Sequence, residues 1–465
     1  MSNTATVLAF DFGASSGRAI RAVYDGQNLT YEEIHRFENV PIEKEGHLCW
    51  DVETLLKEIH TAIQKAGTFD SLGFDTWGVD FGLLDADGHL LANPVHYRDA
   101  RTNGKPEQAA ARMPAEELYA HTGNQIMAIN TLFQLLALQE QEPELLQKAE
   151  QVLFMPDLFA ALLGAEPVCE RSIASTSQML DPRTGQWSRK VLAAYGLPEN
   201  CFAPIVASGT VTGTLANGAK IIAVAGHDTQ CASAAMPCAE EDAEHTAFLS
   251  CGTWSLLGVE NKDPITTPAS MQANFTNEGG YEYRYRYLKN IMGLWMIQSV
   301  RRELGEQTGT RPSFPELIAA AQEASSFAGI VSTGDDRFLA PKSMIKEVKA
   351  ACKDGGKPVP ATTGEVMQTI YNSLSHDYQA AIQELQSLTG KEYTSINIVG
   401  GGSQDMYLNQ MTANATQLPV FAGPTEGTAL GNLMVQMIRA GEFKDLADAR
   451  ASIKKSFTIL ECDPQ

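Results

Sequence analysis

The chain has 465 residues, about three times the usual length of one domain, so two or three hydrophobic cores are expected. Hydrophobic residues make up 44%, charged residues 20% and aromatic residues 8%, which excludes a wholly disordered, collagen-like or fibrous chain. The 35 Lys and Arg against 56 Asp and Glu leave a net charge of −21, and so acidic a surface repels polyphosphate backbones and anionic lipid. We therefore expect neither nucleic acid nor a membrane as a partner.

The start of the chain and its cysteines bear on the compartment. MSNTATVLAFDFG has no basic start and no long apolar core, so it is not typical of a secretory signal. No run of about 18 apolar residues occurs, as a membrane-spanning helix would require. The eight cysteines are scattered, without a C-x-x-C pair or a Cys/His cluster at metal-ligand spacing. We expect reduced thiols and a soluble, cytoplasmic protein.

Two β-hairpins with small-residue turns are the strongest local patterns. The first covers residues 7–26, and its turn Gly13-Ala14-Ser15-Ser16-Gly17 offers unobstructed backbone N–H groups that can cradle an anion. The second covers residues 246–260 around the turn Ser250-Cys251-Gly252-Thr253. Each hairpin opens a stretch of roughly 200 residues, which predicts two domains of similar topology.

The boundary between these domains is predicted in the connection from Cys238 to His245. This connection is short and acidic and lacks apolar periodicity. We therefore expect domains 1–244 and 245–465, with a ligand cleft between them.

Strand and helix patterns alternate between these landmarks, which predicts an α/β fold. The pattern predicts a strand over 72–84, followed by a turn at Asp87-Gly88. Helices are predicted over 130–149, 313–324 and 365–388, and Gly390 is the expected stop signal of the last one.

Some strings are similar to protein-kinase motifs but fail on spacing and order. Asp-Phe-Gly occurs at Asp11 and Asp80, and both precede the string HYRDARTN, whereas in protein kinases they follow the catalytic loop. The catalytic-loop asparagine should lie five residues after its aspartate, and here it lies four after Asp99. The Walker phosphate loop is also missing, because Gly104-Lys105 runs into Pro106. Any nucleotide must be held by another architecture.

Asp11 ends the first apolar strand, beside the small-residue turn. A carboxylate there could hold Mg²⁺ near a phosphate, with Arg18 supplying positive charge nearby. The alternative is a plain glycine turn capped by Asp11.

A second apolar strand, 221–226, ends in His227-Asp228-Thr229 before a stretch of small residues. Asp228 stands where a general base would lie, but Asp228 and Thr229 could equally cap the following helix. His227 taken alone is more typical of a packed or hydrogen-bonded histidine than of a catalyst.

Gly400-Gly401-Gly402 follow a third apolar strand and precede a helix start. Glycines let a base or a phosphate approach the backbone, and a helix amino end favours anions. A triple glycine alone is weak evidence, because any strand-to-helix turn can use it. Small residues from Glu426 to Asn432 start another helix and predict tight packing.

Taken together and in order, nine strings resemble the FGGY carbohydrate kinases, and the resemblance runs from Val7 to at least Met437. The strings are DFGASSGR, DTWGVDFGLLD, YRDARTN, AGHDT, CGTWSLLG, LKNIMGLWMIQ, DDRFLAP, IVGGGSQD and EGTALGN. The resemblance implies two actin-like ATPase domains of ribonuclease-H type flanking a central cleft, with sugar bound mainly by the first domain and ATP, with Mg²⁺, between them. Many family members have threonine where Ala14 stands, and the members that phosphorylate L-rhamnulose at its 1-hydroxyl share the alanine. We expect that activity, in a monomer.

The resemblance also implies roles for individual residues. Asp228 resembles the proton acceptor, and Asp11 a magnesium-side carboxylate. The positions that resemble ATP contacts are Ala14, Ser15, Ser16, Gly17, Arg18, Thr253, Gln298 and Gly401. Those that resemble sugar contacts are Gly78, His227, Asp228, Thr229 and Asn290.

Other functions stay open at this point. The chain could phosphorylate another ketose or polyol, such as fuculose, xylulose or glycerol, because side chains between the strings retune a sugar pocket. It could be a catalytically silent sugar or nucleotide sensor, although Asp11, Arg18, Asp228 and Thr253 are all present. An acidic scaffold would leave unexplained why polar residues gather at strand ends.

Overall fold

The computed structural model describes residues 5–239 and 242–465. The chain forms two compact units, each assembled from separate stretches of sequence. The first unit contains 5–239, 260–288 and 427–456, and the second contains 242–259, 289–426 and 457–465. Residues 240 and 241, which fall in the predicted boundary connection, lie outside the described residues.

The first unit is built on a six-stranded mixed sheet. Its strands lie in the order Thr210–Thr214, Lys220–Ala223, Ser71–Thr76, Ala5–Phe12, Ser16–Tyr24 and Leu29–Glu38. The third strand pairs in parallel with both of its neighbours, and the remaining pairs are antiparallel. The predicted first hairpin is confirmed, and its first strand is an apolar run with Val7, Leu8, Ala9 and Phe10 fully buried.

Helices and short strands complete the first unit. The helices are Val52–Ala66, Lys105–Ala109, Ala115–Thr122, Thr131–Gln141, Pro143–Lys148, Met155–Leu162, Arg171–Ala174, Arg189–Tyr195, Asp228–Ala234, Pro268–Gln272, Gly427–Ala440 and Leu446–Ser456. The short strands are Ile42–Lys44, His47–Cys49, Phe81–Leu84, Gln151–Phe154, Cys169–Glu170, Leu180–Asp181, Gln186–Trp187, Ile205–Val206 and Phe275–Gly279.

The predicted strand over 72–84 is wrong as a single element. The chain forms Ser71–Thr76 and Phe81–Leu84, and between them Val79 has a left-handed φ of 67°. Asp80 Oδ2 there accepts hydrogen bonds from the indole Nε1 atoms of Trp50 and Trp77, at 2.6 and 3.0 Å. Two buried indole donors need an acceptor, and the break in the strand supplies one.

The predicted helix over 130–149 is also divided. It forms Thr131–Gln141 and Pro143–Lys148. Pro143 has no N–H to donate and its ring clashes with the preceding turn, so the helix cannot continue through it. The residue before it, Glu142, has ψ 56°, outside the helical region.

The sheet of the second unit shares a strand arrangement with the sheet of the first. In each, an antiparallel hairpin is followed by two parallel strand pairs. Five consecutive strands of the seven-stranded sheet of the second unit lie in the order Trp254–Asn261, Thr246–Cys251, Ser395–Val399, Val420–Ala422 and Leu460–Cys462. The first two strands form the predicted second hairpin, and the next two pairs are parallel. Strands Trp254–Asn261 and Tyr285–Met292 have residues in both units. The expectation of two α/β domains of similar topology is confirmed.

The helices of the second unit are Trp295–Thr308, Phe314–Glu323, Met344–Asp354, Thr363–Thr389 and Met406–Thr416. The second and fourth confirm the predictions over 313–324 and 365–388. Both begin with a capping box, formed by Ser313 with Glu316 and by Thr362 with Glu365. Gly390 ends the long helix in the left-handed conformation, as its stop signal predicts.

Helix Gly427–Ala440 belongs to the first unit, where it packs against helix Asp228–Ala234. A Cβ at Gly431 would lie 1.8 Å from the carbonyl oxygen of Cys231. The tight packing predicted for the small residues after Glu426 is thus confirmed, and glycine is required for the contact.

All eight cysteines are free thiols. Within the described residues, no helix is both long enough and apolar enough to cross a membrane.

Gly431→Ala should destabilise the protein by about 3 kcal/mol, because the added methyl group meets a backbone oxygen that no side-chain rotation can move. Urea unfolding followed by circular dichroism measures the loss. Gly334→Ala is the control, because its nearest neighbour is a side-chain oxygen 4.0 Å away. Equal midpoints for the two variants would contradict the close contact.

Candidate active site

Asp11 and Arg18 are cross-strand partners in the first hairpin. Arg18 donates to Asp11 Oδ2 through Nη2 at 2.7 Å and through Nε at 2.9 Å. Two donors from one planar guanidinium fix the orientation of this buried carboxylate. The predicted magnesium-side residue is therefore held beside the predicted phosphate turn.

Asn39 shapes that turn. Its Nδ2 donates to Gly13 O at 3.0 Å, and its backbone N donates to Ser15 O at 3.1 Å. Because two turn carbonyls are directed to Asn39, they do not face an incoming anion. Ala14 and Ser16 are half-buried and Ser15 is exposed, so the turn is accessible at this point.

Gly17 has a packing reason to be glycine. A Cβ there would lie 2.2 Å from the ring of Phe37 on the neighbouring strand. Its identity is therefore explained without a ligand, and its predicted ATP contact remains a prediction.

Asp228 is the first residue of helix Asp228–Ala234, with His227 at the N-cap position. Its Oδ1 accepts from the first-turn amide Thr229 N at 2.6 Å, whereas the N-cap residue His227 makes no side-chain capping hydrogen bond. Asp228 thus satisfies one amide of the first turn, but it is not the N-cap residue. About a quarter of the side chain, 27%, is exposed. Burial raises the pKa of Asp228 to about 6, against the lowering effect of His227 and with a further rise from Asp11.

Gly78 and His227 lie side by side. A Cβ at Gly78 would lie 3.2 Å from His227 Nε2. The same nitrogen lies 3.5 Å from Asp228 Oδ1, and Thr229 Oγ1 lies 3.2 Å from the other ring nitrogen, Nδ1. The first unit therefore brings together four of the five predicted sugar contacts.

Behind His227 lies a buried ion pair that sequence reasoning missed. Arg286 Nη2 lies 2.6 Å from Glu278 Oε2, and both residues are buried. Burial raises the pKa of Glu278, but Arg286 and His227 outweigh it and bring this pKa to about 2. Glu278 is therefore ionised at neutral pH, beside a guanidinium.

Asp75 is a second residue that sequence reasoning missed. It is the register partner of Asp11 in the parallel pair, so the two side chains share one face of the sheet. Its Oδ2 accepts from Asn432 Nδ2 at 2.6 Å, while Oδ1 has no hydrogen-bond partner among the described residues. Burial raises the pKa of Asp75 well above its usual value, and the charges of Asp11 and Asp228 add to the rise. The available signal was an acidic residue near the end of an apolar strand, as at Asp11.

The second unit groups two further predicted residues near its hairpin turn. Thr253 O accepts from Trp295 N at 3.2 Å, at the start of helix Trp295–Thr308. Gln298 lies in the first turn of that helix, where its N donates to Leu294 O at 2.8 Å. Asn290 lies half-buried in strand Tyr285–Met292.

The triple glycine packs on the same hairpin. A Cβ at Gly402 would lie 2.2 Å from Cys251 Sγ, and Gly400 has a left-handed φ of 85°. Gly401 differs, because no described atom lies within 4 Å of the position that its Cβ would take. Of the three glycines, Gly401 is thus the one with open space beside it.

One group of potential metal ligands in the described chain has its atoms within 4.8 Å of one another, namely Asp85, Asp87 and His89. Asp85 Oδ1 already accepts from the backbone N of Asp87 at 2.9 Å and of His89 at 2.8 Å. These contacts belong to the turn predicted at Asp87-Gly88, which is confirmed by Gly88 N donating to Asp85 O at 3.0 Å. The cluster is explained by the turn.

Comparison with known proteins identifies relatives of the whole chain. The family model of the FGGY carbohydrate kinases, N-terminal domain, matches residues 6–234, and the C-terminal domain model matches 247–440. The chain is 40% identical over 464 residues to a rhamnulokinase of Oceanobacillus iheyensis, covering 97% of each chain. It is 41% identical over 464 residues to a rhamnulokinase of Halalkalibacterium halodurans, again covering 97% of each.

The fold is similar to a solved structure of gluconate kinase from Lactobacillus acidophilus. The TM-score is 0.80, with 16% sequence identity, and the match covers 100% of this chain and 94% of the other. At that identity the likeness supports the fold and not the substrate.

Asp75→Asn should stabilise the nucleotide-free protein, and the gain should grow with pH. A carboxyl whose pKa is raised on folding binds its proton more tightly when folded, so its contribution to stability falls as pH rises above the ordinary value of 3.8. Asparagine can still accept from Asn432 and does not ionise. Urea unfolding between pH 5 and 7 should show the two free energies diverging by up to about 1.4 kcal/mol per pH unit. Parallel curves would contradict the raised pKa.

Proposed function

This chain belongs to the FGGY family of carbohydrate kinases, and we propose that it phosphorylates L-rhamnulose at the 1-hydroxyl, with ATP as phosphoryl donor. The observation that carries the proposal is the 40 and 41% identity to two proteins named rhamnulokinase over nearly the full chain. Fuculose, xylulose and glycerol are the alternative acceptors.

In the proposed reaction, Asp228 accepts the proton of the sugar hydroxyl as the oxygen attacks the γ-phosphorus of ATP and the bond to ADP breaks. The raised pKa favours this role, because a base with a pKa of about 6 is largely ionised at neutral pH yet binds a proton better than ordinary aspartate. Its partly exposed carboxylate can reach a bound hydroxyl, whereas the fully buried Asp75 cannot.

The sugar is proposed to contact Gly78, His227, Thr229 and Asn290 besides Asp228. At Gly78 the absence of a side chain keeps the edge of His227 unobstructed, because a Cβ would crowd Nε2 at 3.2 Å. An imidazole, a hydroxyl and an amide suit a polyhydroxylated ligand, since each can donate or accept hydrogen bonds.

The nucleotide is proposed to contact Ala14, Ser15, Ser16, Gly17 and Arg18 in the first unit, and Thr253, Gln298 and Gly401 in the second. The exposed turn around Ser15 and the open space beside Gly401 support this assignment. In terms of sequence, we assign sugar binding mainly to residues 1–244 and nucleotide binding mainly to 245–465.

The divalent metal that accompanies ATP is proposed to be Mg²⁺, with Asp11 as its protein-side carboxylate. The residues fit such an ion. Asp11, Asp75 and Asp228 interact electrostatically, and the buried Asp75 Oδ1 lacks a hydrogen-bond partner within the described chain, so a cation nearby would relieve an excess of negative charge. Hard oxygen ligands suit Mg²⁺, which offsets charge on the phosphates when bound. We further propose a cytoplasmic monomer.

Asp228→Asn should lower kcat by about 10²–10⁴-fold, because an amide cannot accept the hydroxyl proton. The thermal midpoint should not fall, because asparagine replaces a carboxylate whose pKa burial raises, and the ATP affinity should stay near that of the wild type. Asp51→Asn is the matched control, since Asp51 is a true N-cap whose Oδ1 accepts from Thr54 N at 3.2 Å, and asparagine caps equally well. If Asp228→Asn stayed within threefold of wild-type kcat, like the control, Asp228 would not be the base.

The wild-type rate should also rise with pH through the pKa of Asp228, near 6, because the base acts in its ionised form. Measuring kcat/KM for the sugar between pH 5 and 8 checks this. A flat profile across that range would contradict the assigned base.

L-rhamnulose should give the highest kcat/KM in a coupled ADP-release assay across ketoses and polyols. Fuculose, xylulose and glycerol belong in the panel as rival acceptors. A tenfold preference for any of them would overturn the substrate and leave the kinase assignment standing. If none of the acceptors in the panel led to ADP release, the catalytically silent sensor would be favoured.

A further inference from the structure

The buried pair Glu278 and Arg286 contacts two of the proposed sugar residues directly. Arg286 Nη1 donates to Thr229 Oγ1 at 2.7 Å. Arg286 Nη2 lies 3.0 Å from His227 Nδ1, and Glu278 Oε2 lies 3.1 Å from the same nitrogen. One edge of the imidazole thus faces both members of an ion pair.

The other edge of the imidazole faces the proposed sugar site. His227 Nε2 lies 3.5 Å from Asp228 Oδ1, on the side where Gly78 has no side chain. A ring held at Nδ1 has a fixed direction for Nε2, and the partner at Nδ1 determines which nitrogen carries the proton.

Stability alone is a weak reason for this ion pair. Arg286 is fully buried and its Nε has no hydrogen-bond partner in the described part of the chain. Buried ion pairs often stabilise no more than apolar residues of similar volume, because desolvation offsets the attraction. The pair can instead orient the groups that it contacts, because a guanidinium offers its hydrogen-bond donors in a rigid fork.

We propose that Glu278 and Arg286 are positioning residues that fix the ring of His227 and the hydroxyl of Thr229 for sugar binding. The proposal rests on the proposed function in that these two residues contact the sugar. It adds that the sugar affinity depends on a charge pair that does not itself touch the sugar.

The chain offers a matched control at the other end of the same helix. Glu260 and Arg450 form a second buried pair in the first unit, with N–O distances of 2.8 and 3.0 Å. Arg450 donates to the carbonyl oxygens of Ser233 and Ala234, in the last turn of helix Asp228–Ala234. Glu260→Gln therefore disturbs an equally buried ion pair that contacts the same helix, and Glu260 does not contact His227.

The test compares Glu278→Gln with Glu260→Gln in the full-length protein. The first readout is the pair of ring ¹⁵N signals of His227 in the ligand-free state, assigned among nine histidines by their loss in His227→Gln. The second is the KM of the sugar that the wild type phosphorylates best, and the third is the thermal midpoint. Glu278→Gln should shift the ring signals and raise the sugar KM at least tenfold, with the ATP KM within twofold. Glu260→Gln should lower the midpoint and leave the other two readouts unchanged.

Unchanged ring signals or an unchanged sugar KM in Glu278→Gln would overturn the proposal, as would an equal rise of the sugar KM in both variants. If Glu278→Gln does not fold, the ring signals and the sugar KM are measured in Arg286→Lys instead. Lysine keeps the positive charge but cannot bind Thr229 and His227 through one rigid fork of donors. The ring signals need no substrate. If no sugar is phosphorylated, the proposed function fails, while the positioning of His227 is still decided by the spectrum.

Discussion

The backbone contact between Gly431 and Cys231 is the constraint on which the proposed catalytic centre depends. Helix Asp228–Ala234 has seven residues, too few to be stable by its own hydrogen bonds, so tertiary packing must hold it. Helix Gly427–Ala440 supplies that packing at a distance that excludes any side chain at Gly431. Its polar residues reach the sheet, where Asn432 donates to Asp75 and Gln436 donates to Leu8 O at 3.0 Å. Helix Gly427–Ala440 therefore both positions the helix that begins with Asp228 and contacts the charged residue Asp75.

A buried ion pair contacts helix Asp228–Ala234 at each of its two ends. The Arg286 pair contacts the residues that begin it, and the Arg450 pair contacts its last carbonyls, where positive charge is favourable. Asp228, at the start of the helix, keeps a raised pKa because burial and the charge of Asp11 outweigh the lowering effects of His227, Thr229 and Arg286. The result is a carboxylate that is held in place yet remains basic, which is what a proton acceptor requires.

The sequence patterns predicted the parts of the molecule that local chemistry determines. Both hairpins, the capped helix Thr363–Thr389 and the small-residue helix after Glu426 follow from periodicity, caps and glycines that are near one another in sequence. The break at Asp80 was not predictable in this way, because its cause is a partner, Trp50, 30 residues away.

The residues that support the site were not predicted for the same reason, because their partners are distant in sequence. Asp75 meets its partner Asn432 from a distance of 357 residues, and Arg286 meets His227 from a distance of 59. No local pattern contains such pairs. The resemblance supplied the residues proposed to touch ligands, whereas their supports became visible in the folded chain.

The division of the first unit among three stretches of sequence has a consequence for biosynthesis. Asp228 emerges from the ribosome well before Glu278 and Arg286, and about 200 residues before the helix that packs against its own. A nascent chain can therefore form the first hairpin early but cannot complete the surroundings of Asp228 until residues 427–440 have been synthesised. A fragment ending at residue 244 would lack these supports permanently, and the apolar faces of Val224, Ala225 and Cys231 would be left uncovered by Val435 and Leu446. The surroundings of the proposed proton acceptor are thus assembled only after helix Gly427–Ala440 has been synthesised.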